Sequence, residues 1–85
     1  MENLKIEVAH IRKFDGKGSL KAFADIVIGG SFLVRGMRIV EGKNGIFVSM
    51  PREQGKDGKW YDNVLPITKE AREELVEVLL GAYEA

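Results

Sequence analysis

The chain has 85 residues, 13 basic and 13 acidic side chains, and 45% hydrophobic content; this describes one small domain, residues 1–85, that buries only about 60–65% of its unfolded surface, and it argues against a disordered chain. Zero net charge speaks against a strongly electrostatic nucleic-acid binder taken whole, and the lack of cysteine excludes disulfides and thiolate metal sites. No apolar run approaches the roughly 18 residues that span a bilayer, and Met1-Glu2-Asn3 lacks the basic-then-apolar pattern of a signal peptide, so a cytoplasmic setting is expected.

The first strand is read over Leu4 to Phe14, with Leu4, Ile6 and Val8 on one face and Lys5 and Glu7 on the other. Ile11 has the opposite parity, which points either to two partly covered faces or to a bulge; two covered faces is the reading taken. Asp15-Gly16-Lys17-Gly18 is a turn. Ser19 to Ile28 returns, with Leu20, Ala22, Ala24, Ile26 and Ile28 on one face and Phe23 and Val27 on the other. The small alanines suggest a helix pressed close. Gly29-Gly30 reverses the chain into Phe32 to Glu41, and Gly42-Lys43-Asn44-Gly45 reverses it again into Ile46 to Met50. Pro51 ends that strand because it has no amide proton for the ladder.

Residues 51–63 hold Arg52, Lys56 and Lys59, two glycines and the pair Trp60-Tyr61, and read as a long connection with a tight Asp57-Gly58 turn. A short edge strand is expected over Trp60 to Leu65, closed by Pro66. Thr68 is a helix N-cap with Glu70 in the first turn, and the helix is predicted from Lys69 to Gly81 or Tyr83. Ala71, Leu75, Val78, Leu79 and Ala82 form its apolar stripe, while Arg72, Glu73 and Glu77 face outward. The fold class expected is α+β: a meander of four to five antiparallel strands with one C-terminal helix packed on the sheet. The width of the stripe and the thin core suggest a homodimer joined through sheet edges or the helix.

Charge is unevenly placed. Residues 1–63 carry 11 Lys/Arg against 8 Asp/Glu, and residues 64–85 carry 2 against 5, so a mildly basic sheet precedes an acidic helix. Arg52, Lys56 and Lys59 suit phosphate contact from a loop, or simple solvation. Arg38 and Lys43 are further candidates. Arg35 and Arg38 differ in parity and share a face only if Gly36 marks a bulge; otherwise one pairs with Glu41 or Asp25. The turn around Lys43 resembles a Gly-x-x-Gly backbone clamp, but such clamps join helices and a hairpin turn is the better reading. Trp60 and Tyr61 could stack on bases or plug a small core or a subunit interface. His10 has no second histidine or cysteine for a metal site. Ser19, Ser31 and Ser49 lack a nucleophile elbow, and Glu73, Glu74 and Glu77 lie on the outer helix face. No enzymatic activity, cofactor, metal, membrane contact or small-molecule substrate is therefore expected.

The blocks Val34-Arg35-Gly36-Met37-Arg38-Ile39-Val40-Glu41-Gly42, Asn44-Gly45-Ile46-Phe47-Val48-Ser49-Met50-Pro51, Asp57-Gly58 with Asp62 following, and Pro66-Ile67-Thr68 leading into the last helix resemble the stage V sporulation protein G (SpoVG) family. That resemblance covers almost the whole chain. It implies a small dimeric regulator, linked to sporulation and septation, that binds DNA or RNA through basic residues after the methionine-proline step. The family commonly carries consecutive basic residues there, whereas here Arg52 is followed by Glu53-Gln54, which implies modest, salt-dependent binding. The acidic tail that many members carry after the helix has no counterpart in this sequence. The alternative is a protein-interaction module in septation control that does not bind nucleic acid directly.

Overall fold

Three single-residue slips in strand register organise the molecule. The structure is a computed structural model that describes residues 5–85; Leu4, assigned above to the first strand, lies outside them. Strands β1 (Ile6–Lys13), β2 (Leu20–Ile28), β3 (Phe32–Gly42) and β4 (Gly45–Ser49) form one antiparallel sheet in the order β1-β2-β3-β4. The meander and the α+β class follow the alternation in the sequence.

The first slip lies in β1, where Val8 faces Ile26 but His10 faces Asp25, leaving Ala9 as an extra residue. Ile11 thereby returns to the face of Ile6 and Val8, and all three pack against the core. The parity change is therefore a bulge and not, as the alternation suggested, a strand covered on both faces. The second slip leaves Lys21 extra in β2, because Leu20 faces Val40 while Ala22 faces Ile39. Leu20 thus lies on the face opposite Ala22, Ala24 and Ile26 instead of with them. In the third, Ala24 and Ile26 face Met37 and Val34, so β3 carries the additional residue at Arg35-Gly36. Gly36 has φ 89° there, a backbone state that a side chain disfavours.

Helix α1 (Lys69–Glu84) lies across one face. Ala24, Ile26 and Met37 of the sheet and Leu75 and Leu79 of the helix are buried together, with Val34, Val48 and Met50 around them. Ala22 and Ala24 are fully covered, Ala24 within the cluster that Leu75 and Leu79 complete. Thr68 caps the helix, its Oγ1 accepting from the Ala71 N–H at 3.1 Å. The helix passes Gly81 and Tyr83 to end at Glu84 because its last turn is tied to β1: Lys13 Nζ lies 5.7 Å from the Tyr83 ring centre and donates to the main-chain oxygen of Ala85 at 2.9 Å. No helix among the described residues is long and apolar enough to cross a membrane.

The connection at 51–63 is more ordered than its composition suggests. It forms a second, two-stranded sheet from β5 (Arg52–Gln54) and β6 (Trp60–Asp62). The expected strand over Trp60 to Leu65 is therefore shorter and pairs with β5 instead of joining the main sheet. Gly58, at φ 82°, allows the reversal, and Gly55 N–H to Lys59 O at 2.8 Å closes it.

Candidate nucleic-acid interface

The sequence-predicted cations fall in three places. Arg52 stands at the base of the β5–β6 hairpin, where its Nε donates to Asp62 Oδ1 at 2.8 Å. Part of its charge is thereby answered within the chain. Lys56 and Lys59 lie at the tip, both exposed.

The tip is braced by polar contacts alone. Asp57 accepts from the Lys59 N–H at 3.0 Å and from the Tyr61 hydroxyl, and Gln54 donates to the Gly58 carbonyl at 3.1 Å. The Tyr61 hydroxyl, with the Lys59 N–H, holds the Asp57 carboxyl below its ordinary 3.8, and the same bond raises Tyr61 above 10.0. Gly55 leaves room for the tyrosine: a Cβ there would stand 2.8 Å from ring carbon Cε2. Trp60 and Tyr61 are 61% and 50% exposed, so neither plugs the core of this chain.

Arg38 lies elsewhere, on the sheet face away from α1. Arg12, Phe23 and Arg38 sit side by side across β1, β2 and β3. The Arg38 guanidinium lies 5.6 Å from the Phe23 ring centre, Phe23 meets Phe14 edge-on at 5.4 Å, and Arg12 lies 5.6 Å over Phe14. The Gly36 bulge brings Arg35 to the same face as Arg38, which the parity argument had made the condition for their acting together. Asp25 and His10, opposite each other in register, also lie there. Neither arginine pairs with Glu41, which Lys21 holds at 3.5 Å. Arg12 and Phe14 were not singled out in the sequence; the only trace of them was the opposite parity of Phe23.

Lys43 occupies the β3–β4 turn, at the other end of β4 from Arg52. One chain therefore gathers Arg52, Lys56 and Lys59 on a hairpin and Arg38 with Arg12 on a face, but does not bring Lys43 to either.

The SpoVG family model matches residues 1–85. Among curated relatives, each named "Putative septation protein SpoVG", the one from Archaeoglobus fulgidus is 40% identical over 80 residues, covering 94% of both chains. The Symbiobacterium thermophilum protein is 42% identical over 82 residues, covering 96% of this chain and 59% of its own length. The Clostridium kluyveri protein is 32% identical over 81 residues, or 95% of this chain and 84% of that one. With the family model matched over residues 1–85 and relatives 32–42% identical over nearly its whole length, the chain belongs to the SpoVG family.

Proposed function

We propose that this protein is a non-enzymatic, dimeric, cytoplasmic regulator that binds DNA or RNA in the control of septation or sporulation, the process that its relatives' names carry. The observation that supports it best is the uncovered sheet face, where Arg12 and Arg38 interleave with Phe14 and Phe23. Flat rings offer stacking surfaces to bases, and guanidinium groups beside them answer phosphates. Lys56 and Lys59 add cations on the hairpin. Arg52 contributes less than its position after Pro51 suggests, because Asp62 holds it.

Titration of labelled DNA and RNA at two salt concentrations tests this reading. Log affinity falls with log salt by about 0.7 per single-strand phosphate neutralised, or about 0.9 for duplex. Replacing Arg12 and Arg38 together by Ala lowers that slope by about 1 for each phosphate that is no longer neutralised. Absence of binding at low salt favours a protein-interaction module instead, a reading supported by the exposed Trp60-Tyr61 pair, since such aromatics are enriched at protein interfaces.

A further inference from the structure

The two faces of the main sheet are charged differently. Arg12 and Arg38 stand on the open face, while the other face lies against a helix whose segment, residues 64–85, carries 2 Lys/Arg and 5 Asp/Glu. Where β1 begins and β2 ends, α1 leaves a hollow of about 800 Å³ over the strands, a size within the range of pockets that hold ligands. The sheet supplies Ile6 and Ile28 to it, both half-buried, the linker before the helix supplies Leu65 and Ile67, and the helix supplies Ala71. Leu65 is 54% exposed and Ile67 91%. Apolar surface gathered in one concavity marks an interaction site, as single exposed residues do not.

The charged side chains that line this hollow are Glu70 and Glu74, one turn apart on α1. Among the described residues, neither forms a salt bridge, and the helix cations Lys69 and Arg72 lie off the hollow.

We infer that the hollow docks a basic amphipathic helix of a protein partner, with its apolar stripe against Ile28, Leu65 and Ile67 and a Lys or Arg against Glu74. The hollow lies on a sheet face and not along a strand edge, so it offers an occupant side chains and no ladder of backbone groups. A segment covered there must satisfy its own N–H and C=O groups, which a helix does. Residues three and four apart then present one apolar stripe. Charge chooses among such helices. Glu70 stands in the first turn, where the positive end of α1 already answers it; Glu74, a turn further on, is the freer to pair. The same carboxylates repel phosphates, so this face and the arginine-aromatic face take partners of opposite charge. The inference does not rest on the nucleic-acid reading.

A labelled synthetic helix of about four turns, with leucines on one face and lysines on the other, serves as the probe, and the same peptide with glutamates in place of the lysines is its control. Anisotropy titration of the intact protein is expected to show the lysine form binding at least about tenfold more tightly, a preference that falls with added salt. Methyl NMR signals of Ile6, Ile28, Leu65 and Ile67 are expected to move on binding, and those of Ile46 and Val48 on β4 to stay in place. Ile67→Asp, at a side chain 91% exposed, is expected to weaken binding of the lysine form at least about tenfold with unchanged far-ultraviolet circular dichroism. Glu74→Lys is expected to shift the preference toward the glutamate form. Replacing Arg12 and Arg38 together by Ala is expected to leave peptide binding in place, so that this inference and the nucleic-acid reading fail separately. Absence of binding, equal binding of the two peptides, methyl shifts confined to other residues, or binding that Ile67→Asp and Glu74→Lys both leave unchanged overturns the inference. So does binding that appears only after deletion of residues 1–4, which assigns the hollow to the chain's own N-terminus, or movement of the same methyl signals on dilution of the protein alone, which assigns it to a second copy.

Discussion

The four-stranded sheet and the β5–β6 hairpin use the same antiparallel ladder and are held by different forces. In the sheet, β2 and β3 run for 9 and 11 residues, and Ala22, Ala24, Ile26, Met37 and Ile39 are sealed from water, with Ala24, Ile26 and Met37 packed with Leu75 and Leu79 of α1. Such burial is worth about 25 cal/mol for each Å² removed from water, and it is shared among many neighbours. The hairpin has strands of three residues, all exposed. Its links are Arg52 with Asp62, Tyr61 with Asp57, and Gln54 with Gly58. An isolated two-stranded hairpin is marginal in water, so these contacts set its conformation without anchoring the domain. Rigid cations on the sheet and adjustable ones on the hairpin follow from that contrast.

The largest effect is expected where the sheet meets the helix. Leu79 is fully buried among Ala24, Ile26 and Met37, and Leu79→Ala removes its packing and leaves a cavity, at a cost of about 2–5 kcal/mol. Urea unfolding followed by circular dichroism measures it. In a domain of this size, that loss is expected to bring the transition close to zero denaturant. A cost below about 1 kcal/mol would show that the helix packs loosely and that burial is not what separates sheet from hairpin.

A smaller loss is expected at the bulge that keeps the two faces of β3 in phase. Gly36→Val forces a β-branched side chain into φ near 89°, with Pro51 Cβ 3.9 Å from the added carbon. Space is adequate, so the cost is conformational, of order 1–3 kcal/mol. The variant is also expected to disturb Arg38, which lies two positions further on and depends on the bulge for sharing a face with Arg35. Gly36→Ala is expected to cost less than Gly36→Val, and equal costs would locate the strain elsewhere.

The regular parts of this architecture were legible because each rests on a local preference repeated several times. Alternation in β2, the glycine reversals on either side of β3, Asn44-Gly45 at a turn, Thr68 at a cap and the Leu75-Leu79 spacing each identify their element. Bulges leave a fainter mark. At Ile11 the parity changed and both explanations were open, since one inserted residue and a second covered face produce the same pattern; only the pairing with Ala24 separates them. The candidate interface was legible in part for a related reason. Arg38, Lys56 and Lys59 are visible as exposed charges, but the Arg12–Phe14–Phe23–Arg38 cluster joins three chain segments, and its members become neighbours only through a register containing those bulges. Arg52 was visible as a cation, yet its partner Asp62 lies ten positions away across a hairpin whose three-residue strands are too short to declare themselves by alternation.

The smallest effect is expected in the hairpin, and its sign follows from Asp57. The Tyr61 hydroxyl and the Lys59 N–H favour the ionised carboxylate in the folded hairpin, so its affinity for a proton is lower than in the open form. Its contribution to the closed hairpin is complete above the ordinary value of 3.8 and is lost as pH falls through the lower, folded value. For Tyr61 the bond favours the protonated hydroxyl; that contribution is complete below 10.0 and is lost as pH rises through the raised value. The brace is therefore complete between about pH 4 and pH 10, and it is lost only below the lowered Asp57 value and above the raised Tyr61 value. Trp60, the single tryptophan, sits on β6 and reports the opening by fluorescence. The acid change is expected below pH 3.8 in the native protein and closer to 3.8 in Tyr61→Phe, which keeps the ring against Gly55 and removes the donor. The α1-covered sheet is expected to show the same urea midpoint in both proteins at pH 7, within the ±0.5 kcal/mol typical of exposed substitutions. An acid midpoint that Tyr61→Phe leaves in place would mean that the hairpin is held by its ladder and by Arg52 with Asp62, and that the polar brace at its tip follows the fold instead of supporting it.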